Sequence, residues 1–295
     1  MLYTVSAYVI WGLFPFYFPL LDPASPVEIL SHRLVWTFVF MAIVLSFWHG
    51  WRALWHMNLK TIGIVAASAL VISINWGVYV VAVNSGHVAQ AALGYFINPL
   101  VSVALAVIFL KESLTRLQAV SVGIATVAVI ILTVLVGKPP IIALTLAFSF
   151  GIYGLLKKQV PLSSAQSLTA EAAIMSPLAL AYLIYLSVQH QSTFSSVNPT
   201  HTALLIFSGI ATAIPLLLFG AGAKRIPLTT VGLVQYITPC MQMLTAVFIN
   251  QEQLSPAQWA AYCLIWVAVA IFITDLLIRH RKRHRNSLVR QEDTA

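Results

Sequence analysis

Charge is what this sequence has least of. Only 8% of its 295 residues are Asp, Glu, Lys or Arg, against about 25% in an ordinary soluble domain. The stretches 61–110, 172–223 and 226–251 contain none at all. With 60% hydrophobic residues and a mean hydropathy of +0.90, the chain has too little polar surface to be a water-soluble globule. Cysteine is nearly as scarce. Cys240 and Cys263 both lie in apolar stretches, which excludes a disulfide scaffold and leaves the redox compartment unread. Strand-type alternation of apolar and polar residues is missing too, so helices are favoured over a β-barrel.

Motifs for chemistry are equally absent. No His, Cys and Asp cluster has metal-ligand spacing. The pair Gly137-Lys138 lacks the upstream glycine of a phosphate loop, and no nucleophile elbow occurs. No catalytic residue, metal or cofactor is therefore assigned. A membrane-embedded enzyme acting on lipid-linked substrates would need a nucleophile, base or metal set that the sequence does not contain. A non-transporting receptor or scaffold would leave the paired prolines described below without a purpose.

What is present is apolar length. A helix needs about 20 apolar residues to cross the hydrocarbon core, and ten spans fit: 3–21, 27–48, 61–83, 89–110, 116–136, 140–156, 165–187, 201–222, 228–250 and 256–278. The fold class expected is an all-α polytopic membrane protein embedded in the lipid bilayer. Met1-Leu2-Tyr3-Thr4-Val5 carries no basic leader, so span 1 is read as retained and not as a signal peptide.

The second half of the chain repeats the first at an offset of 140 residues. Leu93-Gly94-Tyr95-Phe96-Ile97-Asn98-Pro99, followed by Lys111-Glu112 and Leu117-Gln118, returns as Leu233-Val234-Gln235-Tyr236-Ile237-Thr238-Pro239, Gln251-Glu252 and Ala257-Gln258. The basic loops change ends between the copies. Lys111 and Arg116 become Gln251 and Pro256, while Asn84 and Ser85 become Lys224 and Arg225. Five spans per copy is an odd number, so the second copy enters the membrane from the opposite side. Two inverted five-helix repeats, 3–136 and 140–278, followed by a basic tail at 279–295, are the expected organisation, one typical of secondary transporters.

Basic residues set the orientation. With both termini in the cytoplasm, 14 of the 16 Lys and Arg residues face that side, Lys138 alone falls outside, and Arg33 lies within span 2. The run Arg279-His280-Arg281-Lys282-Arg283-His284-Arg285 and the net charge of +8 are read as topology signals beside anionic lipid. No aromatics interleave with the run, so no nucleic-acid partner is assigned.

Capping boxes open several spans: Ser25-Pro26-Val27-Glu28, Thr115-Arg116-Leu117-Gln118, Ser163-Ser164-Ala165-Gln166 and Ser255-Pro256-Ala257-Gln258. Prolines interrupt others: Pro15 and Pro19, Pro99, Pro177, Pro215 and Pro239. Pro99 and Pro239 are repeat equivalents. Paired interruptions in corresponding helices point to a midplane binding site, and both prolines are candidate gating residues.

Aromatic and amide side chains gather in the same region: Trp11, Asn75, Trp76, Tyr79, Tyr95, Asn98, Tyr153, Gln235, Tyr236 and Gln242. A buried amide needs a partner, so these groups should face the bundle interior, where they would line a cavity for an apolar or zwitterionic organic molecule. Trp48, Trp51 and Trp55 are read as interfacial anchors. Three charged residues join the candidates for gating or coupling. Glu28 sits in the first turn of span 2, where it can cap the helix. Arg33, roughly 7–8 Å deeper, is placed either snorkelling to the interface or pairing with Glu28. Glu171 lies two turns into span 7 with no basic residue near it in sequence, and proton coupling is one role open to it. His32 is read as structural, and Asp275 as a partner of the basic tail.

The chain resembles the RarD-type branch of the EamA transporters, in the drug/metabolite transporter superfamily. The likeness rests on Glu28-Ile29-Leu30-Ser31-His32-Arg33-Leu34-Val35-Trp36, Asn75-Trp76, Ala82-Val83-Asn84, the Leu93–Leu100 run, Phe148-Ser149-Phe150-Gly151-Ile152-Tyr153-Gly154-Leu155, Pro215-Leu216-Leu217-Leu218-Phe219 and Gln235-Tyr236-Ile237-Thr238-Pro239. It reaches to about residue 278. The resemblance implies ten helices as two inverted repeats, a bacterial inner-membrane location, a central cavity between the halves and a label of chloramphenicol sensitivity. It supplies no coupling residue. A secondary transporter that exports small organic metabolites or drugs, with the halves rocking about the cavity, is the expected function.

Overall fold

The computed structural model describes residues 1–292 apart from 48, 49, 86, 138, 139, 250 and 252; at 83, 84, 89 and 280–292 it describes the backbone alone. Trp48, Lys138, Asn250, Glu252 and the side chains of Asn84 and of the tail beyond Arg279 lie outside the described residues. Ten stretches are long and apolar enough to cross a membrane. They are span 1 (Leu2–Leu21), span 2 (Pro26–Phe47), span 3 (Leu59–Ala82), span 4 (Gln90–Leu110), span 5 (Arg116–Val136), span 6 (Ile141–Gln159), span 7 (Ser164–Val188), span 8 (Pro199–Arg225), span 9 (Leu228–Phe248) and span 10 (Pro256–Arg279). No strand occurs among the described residues. An even number of spans joined by short connections puts both termini on one face, called here the terminus face.

Helix starts follow the local sequence. Thr115 and Ser163 close full capping boxes with Gln118 and Gln166, and Ser255 does so with Gln258. Span 2 departs from the expectation. The Glu28 amide donates to Ser25 Oγ (3.2 Å), but the Glu28 carboxylate does not return to Ser25. It accepts from Ser192 Oγ (3.0 Å) and the Thr193 amide (2.7 Å), pinning the connection between spans 7 and 8.

The prolines act unequally. Span 1 breaks into Leu2–Gly12, Phe14–Tyr17 and a 3-10 turn at Phe18–Leu21, with Pro15 and Pro19 at the breaks. Span 9 is split into Leu228–Val234 and Ile237–Phe248 just ahead of Pro239. Span 4, in contrast, runs unbroken from Val88 to Leu110 with Pro99 inside it. The expected pair of matching interruptions is therefore one interruption, in span 9.

Packing shows how the repeats relate. Span 4 packs on span 6 as span 9 packs on span 1, span 3 on span 6 as span 8 on span 1, and span 2 on span 8 as span 7 on span 3. Spans 2 and 7, 4 and 9, and 5 and 10 form further pairs. Exchanging each span for the one five places along returns the same set, as a twofold relation between two inverted repeats requires. Nearly all of this packing joins one repeat to the other. Span 1 leaves its own repeat to join spans 8 and 9, and span 6 joins spans 3 and 4, so neither sequence half is a compact body by itself.

Close approach is built from small residues, as expected where lipid supplies no hydrophobic drive between helices. Gly209 of span 8 lies so near span 2 that a Cβ would fall on the backbone of Trp36 and Thr37. Its carbonyl accepts from Thr37 Oγ1 (3.1 Å). At Gly232, a Cβ would meet Ser102 and the Pro99 carbonyl of span 4. The first segment of span 9 thus lies against span 4 toward the terminus face, whereas the Ile237–Phe248 segment scarcely touches it. The bundle is shut on the terminus face and parted on the other.

Candidate functional site

One central cavity lies where the repeats meet. It holds about 840 Å³ of empty space, counted to include its open mouth. Of the sequence candidates, Trp11, Asn75, Trp76, Tyr79, Tyr95, Asn98, Gln235 and Gln242 all line it, as do Arg33 and Pro239. Spans 1, 2, 3, 4, 6, 8 and 9 each contribute, so the wall belongs to both repeats.

Aromatic rings form most of that wall. Trp11 meets Phe150 edge-on at 5.7 Å, and Tyr79 and Tyr95 lie 6.0 Å apart. Amides supply the polar points, and neighbours hold Asn75 and Gln235. Asn75 Nδ2 donates to the Leu146 carbonyl (2.9 Å) and to Ser149 Oγ (3.0 Å) on span 6. Tyr8 donates to Gln235 Oε1 (3.5 Å), and Thr238 Oγ1 donates to the Tyr8 carbonyl (2.7 Å). These bonds tie span 1 to the broken centre of span 9.

Arg33 neither snorkels nor pairs with Glu28. Five residues turn it about 140° around the helix from Glu28, and it points into the cavity. Its guanidinium lies 5.1 Å from the Trp76 ring and 5.5 and 5.8 Å from Phe18 and Phe14. Nε donates to Thr212 Oγ1 on span 8 (2.9 Å). Glu28 itself is buried away from the cavity, in the contacts given above.

Several candidates stand elsewhere. Tyr153 is fully buried with its ring stacked on Phe219, and its hydroxyl donates to Glu171 Oε2 (3.0 Å). It faces the small neighbouring pocket with Glu171 instead of the cavity. Tyr236 is buried one residue from Gln235, about 100° around the chain's helical path, and its hydroxyl has no partner among the described residues. Pro99 does not line the cavity; its carbonyl lies at Gly232. Glu171 is not without a cation. Lys157 Nζ lies 3.0 Å from its Oε1, with both side chains buried, and Ser167 Oγ bridges them at 2.8 Å to each. Lys157, counted among loop cations in the sequence, is in the last turn of span 6. His32 donates nothing to the cavity; its ring stacks on Phe194 (4.8 Å). Asp275 pairs with Arg279 (2.6 Å) and accepts from Thr115 Oγ1 (2.9 Å).

Sequence reasoning missed Tyr8, Phe14, Phe18, Phe150, Thr212 and Leu216 in the wall. A signal existed for some. Tyr8, Trp11, Phe14 and Phe18 follow helical spacing along one face, and Leu216 is the 140-offset partner of Trp76. Nothing in the sequence marks Thr212.

The terminus face is held by a polar cluster. Glu112, in the connection between spans 4 and 5, accepts from the Leu228 and Thr229 amides at the start of span 9 (2.8 and 2.9 Å). Lys158 reaches Glu112 Oε1 (3.4 Å) and donates to the Ile226 carbonyl (2.6 Å). Lys224 donates to the carbonyls of Val160 (2.7 Å) and Leu162. Partial burial raises the Glu112 pKa, but the Thr229 and Leu228 hydrogen bonds and the Lys158 charge outweigh it, and the net pKa lies below the usual carboxylate range. On the opposite face, a wide and mostly apolar opening between spans 4, 5, 9 and 10 shares Tyr95, Pro239 and Gln242 with the cavity.

Ten apolar helices arranged as an inverted repeat around one central cavity are the architecture of a multi-pass membrane transporter. The chain belongs to the EamA-like transporter family, whose model matches residues 1–134 and again 138–274. It is 44% identical to "Protein RarD" of Streptomyces exfoliatus, over 98% of this chain and 92% of that one. It is also 44% identical to the "Uncharacterized transporter YojE" of Bacillus subtilis, over 92% of each, and 38% identical to "Protein RarD" of Escherichia coli, over 96% of each. A solved structure with 16% sequence identity superposes with a TM-score of 0.67 over 92% of this chain and 95% of the other, a likeness of fold alone.

Proposed function

We propose that this protein is a secondary transporter that exports small organic metabolites or drugs by alternating access. The observation that carries the proposal is the single central cavity, walled by both repeats and shut toward one membrane face only. Two bundles exchanged by the twofold, spans 1, 8 and 9 and spans 3, 4 and 6, are the bodies that would rock about it. The repeats 3–136 and 140–278 supply these bundles jointly, and 279–295 forms a basic tail. Positive residues concentrated on the terminus face support an orientation with both termini in the cytoplasm, in a bacterial inner membrane. The bundle would then be open outward.

The aromatic and amide wall supports amino-acid-like or amphenicol-like cargo. One relative, 28% identical, bears the name "Chloramphenicol-sensitive protein RarD", which supports including amphenicols in a first screen. Coupling to protons through Glu171 would require release of Lys157 when the carboxylate is protonated. Purified protein in liposomes should show counterflow of at least one amino acid, aromatic metabolite or amphenicol; none across such a panel refutes transport. An unchanged pH profile in Glu171→Gln removes that residue from coupling.

A further inference from the structure

The geometry points to an organic anion, an aromatic carboxylate, as the cargo of the central cavity, with Arg33 as the residue that binds its carboxylate. This deepens the transport reading and rests on it for the word cargo, though not for binding.

Among the described residues that line the cavity, Arg33 is the only charged one, and no carboxylate joins it there. No ion pair involves it among the described residues, and Nε to Thr212 is its one hydrogen bond. A guanidinium carries five N–H donors, so the two terminal nitrogens keep four that no described group accepts. Charged groups within a membrane protein are ordinarily paired with one another or with backbone carbonyls. Elsewhere this protein follows that rule: Lys157 has Glu171, Arg279 has Asp275, and Lys158 has Glu112. Arg33, in contrast, has no acid partner among the described residues and faces the cavity, where Tyr79 and Tyr95 are neutral polar groups near it.

Its surroundings hold it in place without neutralising it. Trp76, Phe14 and Phe18 surround the guanidinium at cation–π distance, and Thr212 holds Nε. A planar fork fixed in this way matches a carboxylate bidentately. Closing the cavity would strip water from the cation, and an anion brings its own partner to that step. The rings of Trp11 and Trp76 give an aromatic body flat apolar faces. An amine or other cation would meet Arg33's charge with no acid in the wall to offset it.

Three ligands of one shape and different charge decide the matter: phenylacetate, phenylacetamide and 2-phenylethylamine, titrated calorimetrically into the full-length protein in nanodiscs. The expected order is acid, then amide, then amine. The acid should be favoured over the amide by about 10- to 100-fold, the worth of charge-assisted hydrogen bonds. Arg33→Gln should bring acid and amide within about threefold, and Arg33→Lys should keep part of the difference, since a point charge replaces the fork. Wild-type protein that binds the amide as well as the acid, binds the amine best, or binds none at millimolar concentration overturns the assignment, whatever the variants do. Counterflow of the same compounds separates this from the transport reading. Transport without acid preference sinks the anion and spares transport; Arg33-dependent acid binding without counterflow of any solute does the reverse.

Discussion

The cluster around Glu112 makes the strongest conformational prediction. Its carboxylate joins the 4–5 connection to the first turn of span 9, two elements on opposite moving bundles. In Glu112→Gln the shape persists but the charge goes. A net hydrogen bond to a charged group contributes about 1.5–3 kcal/mol and a neutral one about 0.5–1.5. Gln keeps one acceptor oxygen and sets its NH2 against the other amide, so one bond weakens and the other is lost, together at least about 2 kcal/mol. The favourable charge at the helix N-terminus acts through these same amides and is not added again, and the Lys158 pair lies within one bundle, so opening need not break it. A loss of about 2 kcal/mol shifts a two-state equilibrium by about 30-fold. The shift runs away from the state shut on the terminus face. Spin labels at Ser113 and Arg225, in a background with Cys240 and Cys263 replaced, should report it as a longer distance population by pulsed electron resonance. An unchanged distance distribution in Glu112→Gln, with the wild type confirmed as shut, refutes the reasoning.

Acid should mimic that variant. The Glu112 pKa is lowered in the shut state relative to a hydrated carboxylate, so its contribution is complete above the ordinary carboxylate range and fades as pH falls through the lowered value. The same label pair should open on acidification in the wild type and not in Glu112→Gln. In the buried pair, Glu171→Gln or Lys157→Met alone should destabilise by about 3–5 kcal/mol, while the double replacement recovers most of it; thermal unfolding in detergent tests this, and additive losses would contradict a direct pair. Gly209→Val should lower the midpoint more than Gly63→Val, since a side chain at Gly209 forces spans 2 and 8 apart, whereas nothing lies within 4 Å of a Cβ at Gly63; overpacking costs about 1–3 kcal/mol. Trp76→Ala should raise the KM for any transported aromatic, with Tyr153→Phe leaving it unchanged, because only the first lines the cavity; equal effects would misplace the site.

The parts of the site legible in the sequence were those that a local cost exposes. Asn75, Asn98, Gln235 and Gln242 stand in apolar spans where an amide must find a partner, and all four face the cavity. Tyr153 and Tyr236 obey no such constraint. A tyrosine packs well in a core, and Tyr153 spends its hydroxyl on Glu171. Glu171 looked unpaired because its cation is 14 residues away on another helix, across the turn between spans 6 and 7. Arg33 was conspicuous as an intramembrane charge, yet its direction depended on where spans 1, 3 and 8 pack.

Composition and periodicity alone determined the ten spans and their repeat, because burying backbone in lipid allows only complete helices and the repeat is carried in the chain itself. The inversion followed from an odd span count and the exchanged basic loops. Which charges meet, which proline breaks a helix, and which face is shut were decided only by tertiary structure. Those outcomes depend on contacts between spans of opposite repeats, and a pattern along one chain carries no term for the distance between two of them.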